Sequence, residues 1–219
     1  MMDMLNRVLN IIFHLDKYLG IVITHFGYKA YIIIFIIVFL ESGIILTPFL
    51  PGNSLIFITG TFAALKSINI YVLIITLLLA SIFGGIINYN IGKFFGAKII
   101  KSKIGVIIEK KGYFDKTKLF YEKQGGRTLI MARYIPVVRT FSPFIAGVSN
   151  VGHMKFMLYN ILGAFLWVIP LNLLGYWFGN LTFVRNNYSI VIFMPIIGYV
   201  VFVFFAIIIR KLKKKLSNA

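Results

Sequence analysis

Residues 35–54, FIIVFLESGIILTPFLPGNS, form an apolar run that holds one acidic residue and ends in a proline–glycine break. Glu41 lies near the centre of the run and is the only Asp or Glu within residues 17–108. Proline cannot donate the backbone hydrogen bond that continues a helix, so Pro48 and Pro51 should interrupt the run. The stretch therefore predicts a membrane-buried segment that breaks close to a single carboxylate.

The composition of the whole chain supports a membrane location. Of its 219 residues, 59% are hydrophobic and 13% are charged, against about 25% charged residues in soluble domains. The mean hydropathy is +0.90. A soluble domain of this length could not bury so much apolar surface, so we expect one polytopic domain with the bilayer as its solvent.

The charge of the chain is strongly positive, with 23 Lys and Arg against 6 Asp and Glu. The basic residues cluster in residues 93–139 and 210–215, beside apolar segments. Clusters of this kind are typical of cytoplasmic flanks that face anionic lipid, rather than of a nucleic-acid surface. We therefore expect these segments to contact an anionic lipid surface, and we expect no nucleic-acid partner. The chain has no cysteine, which excludes disulfides and thiolate chemistry.

The apolar pattern divides the chain into all-α segments. Residues 1–27 resemble an amphipathic interfacial helix, residues 93–126 a basic cytoplasmic segment, and residues 210–219 a basic tail. Four apolar runs are long enough to be predicted as full transmembrane helices. These runs are residues 28–46, 70–92, 154–181 and 188–209.

Two further segments, residues 48–65 and 127–147, are apolar but interrupted. If residues 127–147 crossed the membrane, the two basic regions would lie on opposite sides, so this segment is predicted to enter and return as a re-entrant hairpin. The same argument gives a hairpin at 48–65 that enters from the other side. Irregular backbone at membrane depth is tolerated only where protein or a water-filled cavity covers it. Five residues should shape or pack these hairpins: Pro51, Gly52, Pro136, Pro143 and Gly147.

A weak internal repeat relates the two halves. Each half, residues 28–92 and 127–181, has a broken hairpin followed by a helix that ends in G-x-x-x-G, at 92–96 and 175–179. Inverted repeats with broken helices that meet near the midplane are common in secondary transporters. The glycine motifs are expected to be packing faces.

Three charged residues fall in segments predicted to lie at depth: Glu41, Arg133 and Arg139. Charges there are energetically costly and usually face a shared cavity or one another. In the functional interpretation, the arginines bind an anionic head group, with phosphate favoured by bidentate geometry, and Glu41 binds a proton or a cationic group. In the structural interpretation, a buried Glu–Arg pair only locks the hairpins together. Asn53 could cap a short helix or line the cavity.

No enzymatic site is predicted. His14, His25 and His153 lie apart, without ligand spacing to one another or to acidic residues, and no nucleophile elbow, P-loop or zinc-protease motif occurs. We therefore expect no cofactor and no metal.

Three stretches resemble the DedA family of bacterial membrane proteins, which is related to eukaryotic VTT-domain scramblases. They are ESGIILTPFLPGNSLIFITGTFA at 41–63, NYNIGKFFG at 88–96, and the pattern R-x-x-P-x-x-R-T-x-x-P-x-x-A-G at 133–147. The resemblance covers about residues 28–181. It implies two opposed re-entrant hairpins in the bacterial cytoplasmic membrane, in agreement with the arrangement predicted from the basic segments, which places the C-terminus in the cytoplasm.

The resemblance also implies lipid transport that depends on the proton-motive force. It favours a flippase for undecaprenyl phosphate, with a phosphatidylethanolamine scramblase as an alternative. The essential glutamate of the family matches Glu41 and its two arginines match Arg133 and Arg139. This chain has Asn53 where the family often has Asp, and Gly84–Gly85 where a second acid is frequent, so proton coupling is either lost or rests on Glu41 alone.

Two other classes of function stay open at this stage, a proton-coupled transporter for small cations and a membrane scaffold. Which lipid is moved and whether the chain forms a homodimer also stay open.

Overall fold

The computed structural model describes residues 22–23, 25–44, 52–100, 126–135, 138–179 and 181, and the regular structure of these residues is helical. Six helices span most of the described chain. They are α1 (Lys29–Gly43), α2 (Gly52–Ala64), α3 (Ile70–Ile100), α4 (Arg127–Ala132), α5 (Val138–Val148) and α6 (His153–Gly179).

Two of these helices are long and apolar enough to cross a membrane, at Ile70–Gly96 within α3 and at His153–Gly179. The second matches the predicted span at 154–181. The first extends past the predicted end at residue 92, because α3 is helical up to Ile100. The predicted basic segment therefore begins inside a helix.

α1 is shorter than the span predicted for residues 28–46. It has 15 residues and a length of about 22 Å, which is less than the hydrocarbon core of about 30 Å. The chain turns just before it, where Gly27 has a left-handed φ of 50° that side-chain-bearing residues rarely adopt. The predicted span at 188–209, the basic tail and nearly all of the amphipathic segment 1–27 lie outside the described residues.

The interrupted segment 127–147 is a short helix, a break and a second helix. α4 ends at Ala132 and α5 begins at Val138, as the sequence around Pro136 suggests, although Pro51 and Pro136 themselves lie outside the described residues. Pro143, expected to shape the hairpin, lies within α5, which continues through it to Val148. Of the predicted hairpin at 48–65, the structure describes the helical limb α2.

α2 packs on α6, and α5 packs on α3, so each broken segment contacts the long helix of the other half. Glycine makes both contacts close. A Cβ added at Gly175 of α6 would overlap the Phe57 carbonyl of α2, and one added at Gly92 of α3 would overlap the Phe144 carbonyl of α5. The predicted role of the G-x-x-x-G motifs as packing faces is confirmed. Gly92 therefore lies inside α3, where it permits the close approach of α5.

The contact between α5 and α3 also has a defined direction. Going along α5, Thr140 contacts Asn88 and Phe144 contacts Gly92. The next turn repeats the pattern, because Val148 lies against Gly96. The residue numbers of the contacts increase together in both helices, so α5 runs in the same direction as α3.

The largest hydrophobic cluster lies between α1, α2, α3 and α6, and includes Ile34, Leu55, Leu77 and Val168. The opposite faces of the long helices carry exposed large apolar side chains, such as Leu79 of α3. Apolar side chains on both the inner and the outer faces are what a lipid solvent requires.

One proline inside α6 is compensated by a tyrosine. Pro170 has no N–H to donate to the Leu166 carbonyl one turn earlier. The hydroxyl of Tyr134, next to α4, donates to that carbonyl at 2.6 Å. The turn after α4 is thereby attached to α6.

Candidate anion site

The carboxylate of Glu41 joins three helices. Glu41 lies in the last turn of α1 and is 2% exposed. Its Oε1 forms an ion pair with Arg139 in the first turn of α5 and accepts a hydrogen bond from the backbone N–H of Gly52, the first residue of α2, at 3.1 Å. A Cβ at position 52 would overlap the carboxylate, so this approach requires glycine. An anion at a helix N-terminus is favoured by the unpaired N–H groups and by the helix dipole.

Arg139 has a second partner in α2. Its Nη1 donates to Oδ1 of Asn53 at 2.9 Å. The same oxygen accepts the indole N–H of Trp167, in α6, at 3.0 Å. The guanidinium carbon of Arg139 lies 5.3 Å from the centroid of that indole ring, within the range of a cation–π contact. Asn53 therefore bridges Arg139 and Trp167 as a shared acceptor next to the cavity, and it is not among the residues that line the cavity.

Arg133 is 9% exposed and bonds only to neutral oxygens among the described residues. Its guanidinium donates to Oγ of Ser81 and to Oδ1 of Asn160, the latter at 2.7 Å. It lies 5.8 Å from the centroid of the same Trp167 ring. Glu41 is the only acidic residue in the described part of the chain, and its ion pair is with Arg139. Arg133 is thus a buried cation for which this part of the chain supplies no carboxylate.

The charged residues surround one cavity. Glu41, Arg133, Arg139, Thr140, Asn160 and Trp167 are among its lining residues, and its volume is about 20 Å³. That volume has room for about one water molecule. Oε2 of Glu41 is buried without a hydrogen-bond partner within the described residues. In this state the cavity is too small for a phosphate group.

Three buried asparagines tie the site to the helices around it. Asn88 donates to the carbonyls of Ser42 and Thr140, at 3.1 and 2.7 Å, and so joins the end of α1 and the first turn of α5 to α3. Asn172 donates to the Ile56 carbonyl at 2.9 Å, and Asn160 donates to the Ile82 carbonyl at 3.0 Å. Bonds of this type between apolar helices position the neighbouring side chains.

The structure brings together the four polar residues singled out from the sequence, which are Glu41, Asn53, Arg133 and Arg139. Their roles in binding stay predictions. Gly52 lies against the Glu41 carboxylate, and Gly147 lies against the backbone of α3. No group of His, Asp and Glu that could hold a metal occurs within the described ranges.

Sequence reasoning did not identify Ser81 and, above all, Trp167 as residues of the site. One signal could have identified it. Tryptophans of the interface belts lie near the ends of transmembrane helices, whereas Trp167 lies in the middle of α6. A tryptophan at mid-helix is buried in protein or faces a cavity.

Comparison with known proteins gives a consistent result. The profile of the VTT domain matches residues 50–177. Protein DedA of Escherichia coli K12 is 40% identical over 193 residues, which cover 87% of this chain and 88% of that protein. Inner membrane protein YqjA of the same organism is 30% identical over 151 residues, 68% of each chain. An uncharacterized membrane protein of Mycobacterium leprae, ML0287, is 37% identical over 152 residues, which cover 69% of this chain and 68% of that protein. No solved structure matches the chain.

Proposed function

The chain belongs to the DedA family of VTT-domain membrane proteins, and we propose that it is a flippase that moves a phosphate-bearing lipid across the bacterial cytoplasmic membrane. Undecaprenyl phosphate is the substrate we favour. One observation carries this proposal. Two arginines, one buried and one largely buried, line a single cavity with one buried carboxylate, which leaves one positive charge in excess among the residues that line it.

That excess charge favours an anionic ligand. A buried ion without a partner of opposite charge is costly, and proteins retain such ions mainly where they serve a pathway or a ligand. A phosphate group accepts bidentate hydrogen bonds from guanidinium groups. Neutralising the phosphate at Arg133 and Arg139 would remove most of the penalty of carrying the head group through the bilayer, while the polyprenyl tail stays in lipid.

Glu41 and the ligand would compete for the same donors. The carboxylate holds Arg139 and the N–H at the start of α2, and the cavity has space for little more than a water molecule. The head group can therefore bind only after Glu41 moves away from Arg139. Proton uptake by Glu41 would weaken the ion pair and admit the phosphate. Release of that proton would restore the pair and expel the phosphate.

The crossed contacts of α2 with α6 and of α5 with α3 support two opposed re-entrant hairpins. In this arrangement the hairpins enter from opposite sides of the membrane and place Glu41, Arg133 and Arg139 near its midplane. The C-terminus is then cytoplasmic, and the basic segments 93–126 and 210–219 face anionic lipid.

The alternative is a structural lock in which the Glu41–Arg139 pair only holds α1, α2 and α5 together. The three-helix junction at the carboxylate favours it. The two interpretations differ over Arg133, which the ion pair does not use. A structural lock needs no ligand for Arg133, whereas the anion site does.

Native mass spectrometry of the purified full chain tests the proposal. Undecaprenyl phosphate would be compared with neutral undecaprenol and with phosphatidylethanolamine, for the natural protein and for Arg133→Lys and Arg139→Lys. We expect preferential binding of the phosphate lipid and its loss in both variants, since lysine cannot reproduce the bidentate fork. Equal binding of the phosphate lipid and the neutral polyprenol would refute the anion site.

A further inference from the structure

The ring of Trp167 contacts both arginines of the site. It lies in the middle of α6, is 2% exposed and lines the cavity. The guanidinium carbons of Arg133 and Arg139 lie 5.8 and 5.3 Å from its ring centroid. Two guanidinium groups normally repel each other, and the negative face of an indole offsets part of that repulsion.

Trp167 acts on Arg139 by a second route. Its indole N–H and Arg139 donate to the same oxygen, Oδ1 of Asn53. The asparagine amide is therefore oriented by two donors, and it in turn fixes one arm of the guanidinium. Arg133 is oriented by the ring and by α3 and α6 through Ser81 and Asn160.

We propose that Trp167 is a positioning residue that holds the two guanidinium groups at a fixed separation and so selects phosphate monoesters over phosphodiesters. This inference rests on the proposed function. A phosphate monoester has three non-bridging oxygens. Two guanidinium groups can therefore each form a bidentate contact with two of them, with one oxygen common to both contacts. A diester has two such oxygens and can satisfy one fork fully. Two forks held together therefore favour the monoester.

A packing role for Trp167 gives a different expectation. The residue belongs to the large hydrophobic cluster, so its replacement will lower stability whatever its role at the site. Only a positioning role changes the ratio of the affinities for the two lipid classes. That ratio is the quantity to measure.

The test uses the full chain and two lipids with identical acyl chains, phosphatidic acid as the monoester and phosphatidylglycerol as the diester, in phosphatidylcholine nanodiscs. We expect the natural protein to prefer phosphatidic acid. Trp167→Phe keeps an aromatic face and loses the N–H, so we expect about fivefold weaker binding with the preference retained. Trp167→Leu loses both, and we expect about thirtyfold weaker binding of phosphatidic acid and little preference.

Trp177 provides a matched control. It is the other tryptophan of the chain, it lies on the same helix, and it is 70% exposed. Trp177→Leu should leave both affinities and their ratio unchanged. If Trp167→Leu does not yield folded protein, Asn53→Ala decides, because it removes the acceptor shared by Trp167 and Arg139, and the preference should fall about threefold.

The outcomes separate this inference from the proposed function. If the natural protein binds neither phosphate lipid better than phosphatidylcholine, the anion site itself is wrong. If it prefers phosphatidic acid and Trp167→Leu or Asn53→Ala keeps that preference in full, the anion site stands and the positioning role is refuted.

Discussion

The contact of α2 with α6 and the contact of α5 with α3 are built alike but differ in chemistry. Phe57 and Phe144 occupy equivalent positions, each with its carbonyl against a glycine of a long helix. Three residues later, Gly60 and Gly147 lie against backbone carbonyls of the same long helices. The packing pattern is therefore repeated in the two halves.

The difference appears five residues before each phenylalanine. The first half has Gly52 at this position and the second half has Arg139, and both contact the carboxylate of Glu41. One half offers a bare backbone N–H and the other a guanidinium group. The repeated halves thus provide a common frame, and the charge that we propose binds the ligand lies where their sequences differ.

The largest effect should come from breaking the Glu41–Arg139 pair from one side. Arg139→Gln leaves a buried carboxylate without its cation, and removing one partner of a buried pair lowers the free energy of unfolding by about 3–5 kcal/mol. The double variant Glu41→Gln with Arg139→Gln should recover most of that stability, because no buried charge is left unpaired. The recovery of stability is measured by unfolding the variants in detergent, either with heat or with a denaturant.

Lipid binding by the same variants distinguishes the anion site from the structural lock. The double variant should stay unable to bind the phosphate lipid, since it has lost one guanidinium fork. Recovery of both stability and phosphate binding in the double variant would show that Arg139 serves the ion pair alone. The result would favour the structural lock over the anion site.

A second prediction tests whether the frame is symmetric. Gly92→Ala and Gly175→Ala each force a methyl group against a backbone carbonyl, and overpacking of this kind lowers the free energy of unfolding by about 1–3 kcal/mol. We expect the two losses to agree within about 1 kcal/mol. Gly152→Ala is the control, because a Cβ there has no neighbour within 4 Å. Two losses that differ by several kcal/mol would show that the halves are packed differently.

A third prediction concerns the charge at the start of α2. Asn53→Asp would add a second carboxylate next to Arg139 and remove the excess positive charge of the cavity. We expect about tenfold weaker binding of the phosphate lipid at neutral pH, because anion and carboxylate then compete for one guanidinium. The loss should shrink as the pH falls and the carboxylate is protonated. Asn53→Ser, which adds no charge, controls for the lost amide, and equal binding by both variants at all pH values would contradict the charge argument.

The sequence predicted the residues of the site better than their connections. Glu41, Arg133 and Arg139 could be found because a charge in an apolar run is a local signal. Which arginine pairs with Glu41 depends on how α1, α2 and α5 meet, and nothing in one segment encodes that. The role we propose for Trp167 likewise depends on contacts with α2, α5 and the turn after α4, although its place in the middle of α6 was a local signal of burial.

The elements were predicted well where the apolar pattern decides, and less well where the end of a helix depends on a neighbouring helix. α6 and the break between α4 and α5 follow the sequence pattern closely. The second predicted span ended at residue 92, before the basic segment, but α3 continues to Ile100 and Gly92 lies inside it against α5. A glycine can end a helix or admit a neighbouring helix, and only the neighbour distinguishes the two.

The smallest effect should come from a single hydroxyl that distinguishes the two crossings. Four residues after each phenylalanine, α2 has Thr61 and α5 has Val148. The Thr61 hydroxyl donates to the Gly175 carbonyl at 3.1 Å, and Thr61→Val should lower the free energy of unfolding by about 1 kcal/mol. If the frame is truly repeated, the reciprocal Val148→Thr places its hydroxyl near the Gly92 carbonyl and should be nearly neutral. A loss above about 2 kcal/mol for Val148→Thr would mean that the second crossing cannot satisfy that hydroxyl, and the symmetry would then end at the glycines.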